Sequence, residues 1–152
     1  MIPNPGDPGC TCYRLRQTAR LVSRTYDRFL SSTGISIGQF GMLSTLAAME
    51  GKSISELADV LQMERTTLTR NLSPLKNLRY ITIVEGSDKR TKSLRLTKAG
   101  EKALSSAKPI WRAAQENLEL QLGKAEVKSL NKTLDDAMNR LSADLLHEKG
   151  VL

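Results

Sequence analysis

The stretch SISELADVLQMERTTLTRNL, from Ser53 to Leu72, decides the fold. It opens on Ser53-Ile-Ser-Glu56, the spacing of a capping box: the serine hydroxyl accepts a first-turn N–H while the glutamate reaches back to the serine N–H. Ile54, Leu57, Ala58 and Leu61 then share one face of a short helix. Gln62-Met63-Glu64 makes a brief turn. A second helix follows, carrying Leu68, Leu72, Leu75 and Leu78. Pro74 lies within it; a proline there removes the backbone bond to Arg70 and is expected to bend or loosen the second half. Arg65 to Asn71 can stay regular. Two short helices and a tight turn make a helix-turn-helix.

Downstream, the period changes from helical to alternating. Ile81-Thr-Ile83 and Leu94-Arg-Leu96 read as half-buried strands around the turn Glu85-Gly-Ser-Asp-Lys-Arg-Thr-Lys92. The result is a β-hairpin with a basic tip, a wing. Upstream, Ser36-Ile-Gly-Gln39 is a second capping box. It opens a helix with Phe40, Leu43, Leu46 and Ala47 that stops near Gly51. Before it, Cys12, Leu15, Ala19, Val22, Tyr26 and Phe29 form a one-sided stripe on a helix ended by Gly34. Beyond the hairpin, Thr97 is placed to cap a helix carrying Leu104, Ala107, Trp111, Ala114, Leu118 and Leu122, which Pro109 is expected to kink. After Gly123 a last helix carries Val127, Leu130, Leu134, Met138, Leu141 and Leu145. The fold class is therefore mostly α with a small β-hairpin wing: a winged helix-turn-helix over 36–102, a helical dimerisation region over 12–35 and 103–147, a flexible N-terminal arm over 1–11 and a tail over 148–152.

The charge is concentrated. The 152 residues carry a formal net charge of +7. Residues 62–98 hold nine basic side chains, from Arg65 to Lys98, against the acids Glu64, Glu85 and Asp88. A solvated face spreads its charge, whereas a field confined to the second helix and the hairpin implies a polyanionic partner. With Leu68, Leu72 and Leu75 packed inward, Arg65, Thr66, Thr67, Thr69 and Arg70 remain on the surface. A helix fits the major groove, where arginine can donate two bonds to guanine and threonine can touch a thymine methyl. Ser53 and Ser55 can donate to backbone phosphates and set register. Lys89, Arg90 and Lys92 on the wing can follow the sugar-phosphate backbone, with a guanidinium suited to a narrow minor groove. Asp88 repels phosphate and is expected instead to orient a nearby arginine. The end helices carry more apolar surface than a small winged domain can cover, which implies a two-fold homodimer presenting two reading helices to two half-sites about 34–36 Å apart or a multiple of that.

The stretches Ser53-Ile-Ser-Glu-Leu-Ala58, Glu64-Arg-Thr-Thr-Leu-Thr-Arg-Asn-Leu72, Gly86-Ser-Asp-Lys-Arg90 and Leu94-Arg-Leu-Thr-Lys-Ala-Gly100 resemble the MarR family, with order and spacing matching from about residue 12 to 147. The resemblance implies a homodimer of triangular outline that binds pseudo-palindromic promoter DNA and usually represses. It implies that Arg65 to Arg70 enter the major groove and that Arg90 is the wing-tip arginine, steadied by Asp88. It also implies release by a small, often aromatic or phenolic, ligand lying between the dimer helices and the winged domain, or by thiol oxidation. Arg16, Arg20, Tyr26 and Phe40 are the candidate ligand residues, cations beside an apolar wall.

Cys12, with Cys10 as a partner after rearrangement or across the dimer, is the alternative sensor. A helix N-terminus and the nearby Arg14 and Arg16 favour a thiolate, which oxidises to a sulfenate and then a disulfide. In hydroperoxide sensors of the family, tyrosines hold the reduced cysteine; Tyr26 matches one such position, while Arg16 and Ile37 occupy the others. As a small apolar residue, Cys12 can equally continue the core stripe. Cys10, Cys12 and the single histidine, His147, are too few and too scattered for a metal site. No cofactor is expected. Nothing resembles a phosphate loop or a nucleophile elbow, which argues against an enzyme. A protein-interaction module without DNA is the reading from another class, but it leaves the localised charge unused. No stretch approaches the roughly 20 apolar residues of a membrane span, and residues 1–9 lack the apolar run of a signal peptide, so the expected compartment is the cytoplasm.

Overall fold

The computed structural model describes residues 9–85 and 92–148. Its elements run α1 (Thr11–Leu30), a 3-10 turn (Ser31–Thr33), α2 (Ile37–Ala48), α3 (Ile54–Val60), α4 (Arg65–Asn77), β1 (Ile81–Glu85), β2 (Lys92–Leu96), α5 (Lys98–Leu122) and α6 (Lys124–Glu148). This is the mostly helical, winged architecture expected from the patterning. The chain divides into two compact units, Met1–Ala114 and Gln115–Leu152. The division at Ala114 falls within α5, inside the expected helical region 103–147.

Local chemistry sets the boundaries in the first unit. Gly34 ends the turn after α1 at φ +74°, in the left-handed region that glycine enters without a Cβ penalty. Asp27 on α1 accepts the Ile37 N–H at 2.7 Å, tying α1 to the start of α2. Both capping boxes form: Gln39 N–H donates to Ser36 Oγ at 3.2 Å while Ser36 N–H donates to Gln39, and Ser53 and Glu56 repeat the pattern. Between α3 and α4, Gln62 turns the chain at φ +51° and Met63 N–H closes onto the Ala58 carbonyl at 2.9 Å. Thr97 Oγ1 accepts the Gly100 N–H at 3.1 Å, the cap expected for α5.

Leu30, Leu43, Leu57, Leu68, Leu75 and Leu94 are the largest fully buried side chains, so the core is aliphatic and centred between α2, α4 and the base of the hairpin. Phe40 and Trp111 add a stacked aromatic pair, with centroids 5.7 Å apart and planes 16° from parallel. Neither Pro74 nor Pro109 interrupts its helix. Both are exposed, and in α4 Leu72 and Leu75, in the core on either side, hold the two halves in place. The strands pair antiparallel, Ile81 with Leu96 and Ile83 with Leu94. Ile81 is buried, whereas Ile83 is 38% exposed although its partner Leu94 is fully buried. Of the apolar residues on α2, Ala47 is exposed, one turn after buried Leu43.

In the second unit, Gly123 (φ +93°) separates the end of α5 from α6. Val127 is buried, while Leu120, Leu130, Met138 and Leu141 are exposed. Among the described residues, no helix is long and apolar enough to cross a membrane.

Candidate nucleic-acid interface

The 3.6-residue period of α4 sorts its side chains. Leu68, Leu72 and Leu75 are buried; Arg65, Thr66, Thr67, Thr69 and Arg70 are all exposed. Arg65 and Thr69 share one edge, and Thr66 and Arg70 lie along the outward ridge, each pair one turn apart. Arg65 and Arg70 make no ion pair among the described residues, so both guanidiniums keep their forked donors for an outside acceptor. The Thr69 hydroxyl donates to the Arg65 carbonyl at 2.9 Å.

The three helices around the turn differ at their N-termini. α2 and α3 are closed by capping boxes, whereas Glu64, before α4, makes no side-chain capping bond. Among the described residues, the first N–H groups of α4 thus lack a side-chain cap from Glu64, an arrangement that suits a phosphate. At α3 the position is occupied: Glu56 accepts the Ser53 N–H, and this bond holds its carboxyl below the ordinary range. Lys52, 3.1 Å away, lowers it further. Ser53 and Ser55 therefore offer hydroxyls there, half-buried and exposed respectively, rather than a free helix end.

The wing is tied to this framework. Ser93 on β2 is a buried polar residue whose hydroxyl donates to the Gly51 carbonyl at 3.0 Å. Its backbone pairs with Val84 on one side and forms a bridge to Ser53 on the other. Leu94 N–H adds a bond to the Lys52 carbonyl at 3.3 Å. The Ser93–Leu94 segment of β2 is thereby bound to the start of α3, with exposed Lys92 next to it at the outer end of the strand. Asp88, Lys89 and Arg90 lie outside the described residues. Arg95, exposed on β2, approaches Glu50 at 3.9 Å.

The candidate effector residues separate. Arg16 and Arg20 are exposed on α1; Tyr26 is buried; Phe40 stands in the core against Trp111. Arg20 lines an open groove of about 500 Å³ with Ala19, Ser23 and Arg24. Arg24 belongs to a row without a sequence motif: Arg16, Arg20, Arg24 and Arg28 recur every four residues, and all are exposed. Ser93 gave no sequence signal, since its partner is 42 positions away. Cys10 is half-buried and Cys12 exposed, both as free thiols at the start of α1. Among the described residues, no group of three or more His, Cys, Asp or Glu side chains is placed to hold a metal; the side chain of His147 lies outside the described set.

A sequence model of the MarR family matches residues 33–91, from the 3-10 turn after α1 to the segment between β1 and β2. The chain is similar to the Mycobacterium tuberculosis transcriptional regulator MosR. In its complex with DNA, the match is 32% identical, with a TM-score of 0.70, covering 84% of this chain and 98% of that one. A second MosR structure matches at 30% identity and a TM-score of 0.76, covering 90% and 98%. An uncharacterized helix-turn-helix-type transcriptional regulator of Bacillus subtilis, YwoH, is 29% identical over 90 residues; the match spans 59% of this chain and 66%, just under two thirds, of that protein.

Proposed function

The chain belongs to the MarR family of winged helix-turn-helix regulators and is a DNA-binding transcriptional regulator; from that premise we propose that it acts as a homodimer on pseudo-palindromic promoter DNA, as a repressor that a small ligand releases. The observation that carries the proposal is the division of α4: three leucines fill the core while two arginines, without an ion pair among the described residues, and three threonines stand exposed on the other side. Arg65 and Arg70 read base edges in the major groove, and the uncapped start of α4 takes a phosphate. Ser53 and Ser55 hold the backbone through their hydroxyls, and Lys92, with Lys89 and Arg90 beyond it, follows the phosphates along the wing while Asp88 orients Arg90. The DNA complex of MosR, 32% identical, supports this use of the fold. The dimer is supported by apolar side chains that the chain leaves exposed on its end helices, including Leu15 and Leu21 on α1 and Leu130, Met138 and Leu141 on α6. The ligand reading rests on the α1 groove, where Arg20 and Arg24 can clasp a carboxylate or phenolate beside Ala19.

Fluorescence anisotropy of the reduced protein on duplex DNA from upstream of its own gene, with a scrambled control, tests the proposal. Sequence-selective binding that weakens steeply with salt is expected. Lys92→Ala should weaken binding to both duplexes alike and flatten the log–log salt slope by about one unit, the loss of one phosphate contact. An unchanged slope would remove Lys92 from the backbone. Equal binding to both duplexes would remove base reading.

A second reading has its own observation. Cys12 is exposed in the first turn of α1, one turn before Arg16, where a peroxide can reach it. On this reading the thiolate takes an oxygen from a hydroperoxide to become a sulfenic acid, which condenses with a second thiol to a disulfide and water. Hydroperoxide should then release the wild-type protein from DNA and leave Cys12→Ser bound. Release of the serine variant would discard Cys12 as the sensor.

A further inference from the structure

Within the reading face of α4, one residue presents different chemistry from its neighbours. Arg65 and Arg70 offer guanidinium donors. Thr69 is exposed as they are, but its hydroxyl proton is committed to the Arg65 carbonyl one turn back, at 2.9 Å. A threonine on a helix has two accessible χ1 states, one of which directs the oxygen onto the preceding turn. With the oxygen turned to the backbone, the group that Cβ leaves outward is the methyl. Thr69 is therefore an apolar point on an otherwise polar edge, shared with Arg65 and adjacent in sequence to Arg70.

We infer that Thr69 is a specificity-determining residue that reads the 5-methyl group of one thymine in each half-site by van der Waals contact. Of the major-groove features, the thymine methyl is the apolar one, and a side-chain methyl is its natural complement. The internal bond also fixes the rotamer before DNA arrives, so the contact requires little further ordering of the side chain. A hydroxyl used on DNA would instead have to leave the Arg65 carbonyl. The inference rests on the proposal that α4 enters the major groove.

The two halves of the threonine side chain can be removed separately. Thr69→Val keeps a methyl at the same place and removes the hydroxyl; Thr69→Ser keeps the hydroxyl and removes the methyl. Because residue 69 is exposed, neither change disturbs the core. A preferred sequence is selected for the wild-type protein from a random duplex library, and each of its thymines is then replaced in turn by deoxyuridine, which lacks only the methyl. One thymine per half-site is expected whose replacement weakens wild type and Thr69→Val by about three- to fivefold, the scale of burying one methyl. Thr69→Ser should be indifferent to that replacement. Sensitivity retained by Thr69→Ser, or lost in Thr69→Val, would overturn the inference while leaving α4 in the groove. Failure of the wild-type protein to select any sequence would overturn the reading of α4 itself, and the inference with it.

Discussion

Gly100→Ala is expected to destabilise the protein by about 2 kcal/mol and to lower its thermal midpoint by about 4–8 °C. A Cβ at this buried position in the first turn of α5 would overlap the Tyr80 carbonyl oxygen and come within 2.9 Å of the Tyr80 carbonyl carbon. The obstacle is backbone, so no side chain can swing aside. Nor can the backbone retreat at low cost. The Tyr80 carbonyl accepts the Thr97 N–H at 3.0 Å, and the Thr97 hydroxyl donates to the Arg79 carbonyl at 2.6 Å. Arg79 already sits at φ +58°. Moving α5 away from the start of β1 would strain this whole junction. Alanine's better helix propensity returns about 1 kcal/mol, which is why the net cost is expected to be smaller than that of the overlap alone. Thermal unfolding followed by circular dichroism checks the prediction; an unchanged or raised midpoint would mean that α5 can shift freely from Tyr80.

Arg70→Ala carries the largest expected effect on function. Arg70 is exposed on the outward ridge of α4 and makes no ion pair among the described residues, so its removal takes nothing from the core. Its loss should weaken binding to a preferred operator by about 1–3 kcal/mol, or about 5- to 150-fold, and relax the preference at one base position. Anisotropy on the operator and on single-base variants reads both effects. Sedimentation of Arg70→Ala should match that of the wild-type protein. A change of assembly state would show that α4 serves the subunit interface rather than DNA.

These two residues stood differently in the sequence. Arg70 was legible at once, because helical spacing places it opposite Leu68, Leu72 and Leu75. Gly100 was visible only as part of the Leu96-Thr-Lys-Ala-Gly100 resemblance, and its physical reason, the Tyr80 backbone, appears only when β1 and α5 are brought together. The same contrast runs through the molecule. The capping boxes at Ser36 and Ser53, the Gln62-Met63-Glu64 turn and the Thr97 cap were readable because each joins groups within a few residues. The Ser93–Gly51 bond that seats the wing was not, because no local pattern links two residues in separate elements. Phe40 has a neighbour that no local pattern reveals, Trp111 on α5, stacked against it in the core.

By itself the sequence determined the order and kind of the helices and strands, the wing, and the helix that carries the concentrated charge. Periodicity, capping and charge act over a few residues, and those interactions are written along the chain. Tertiary structure alone decided the contacts between distant residues. It bonded the Ser93 hydroxyl to the Gly51 carbonyl, stacked Phe40 on Trp111 and brought the Tyr80 carbonyl against Gly100. Exposure and hydrogen-bond occupancy depend on three-dimensional neighbours, and side chains of the same type are separated only when those neighbours are in place.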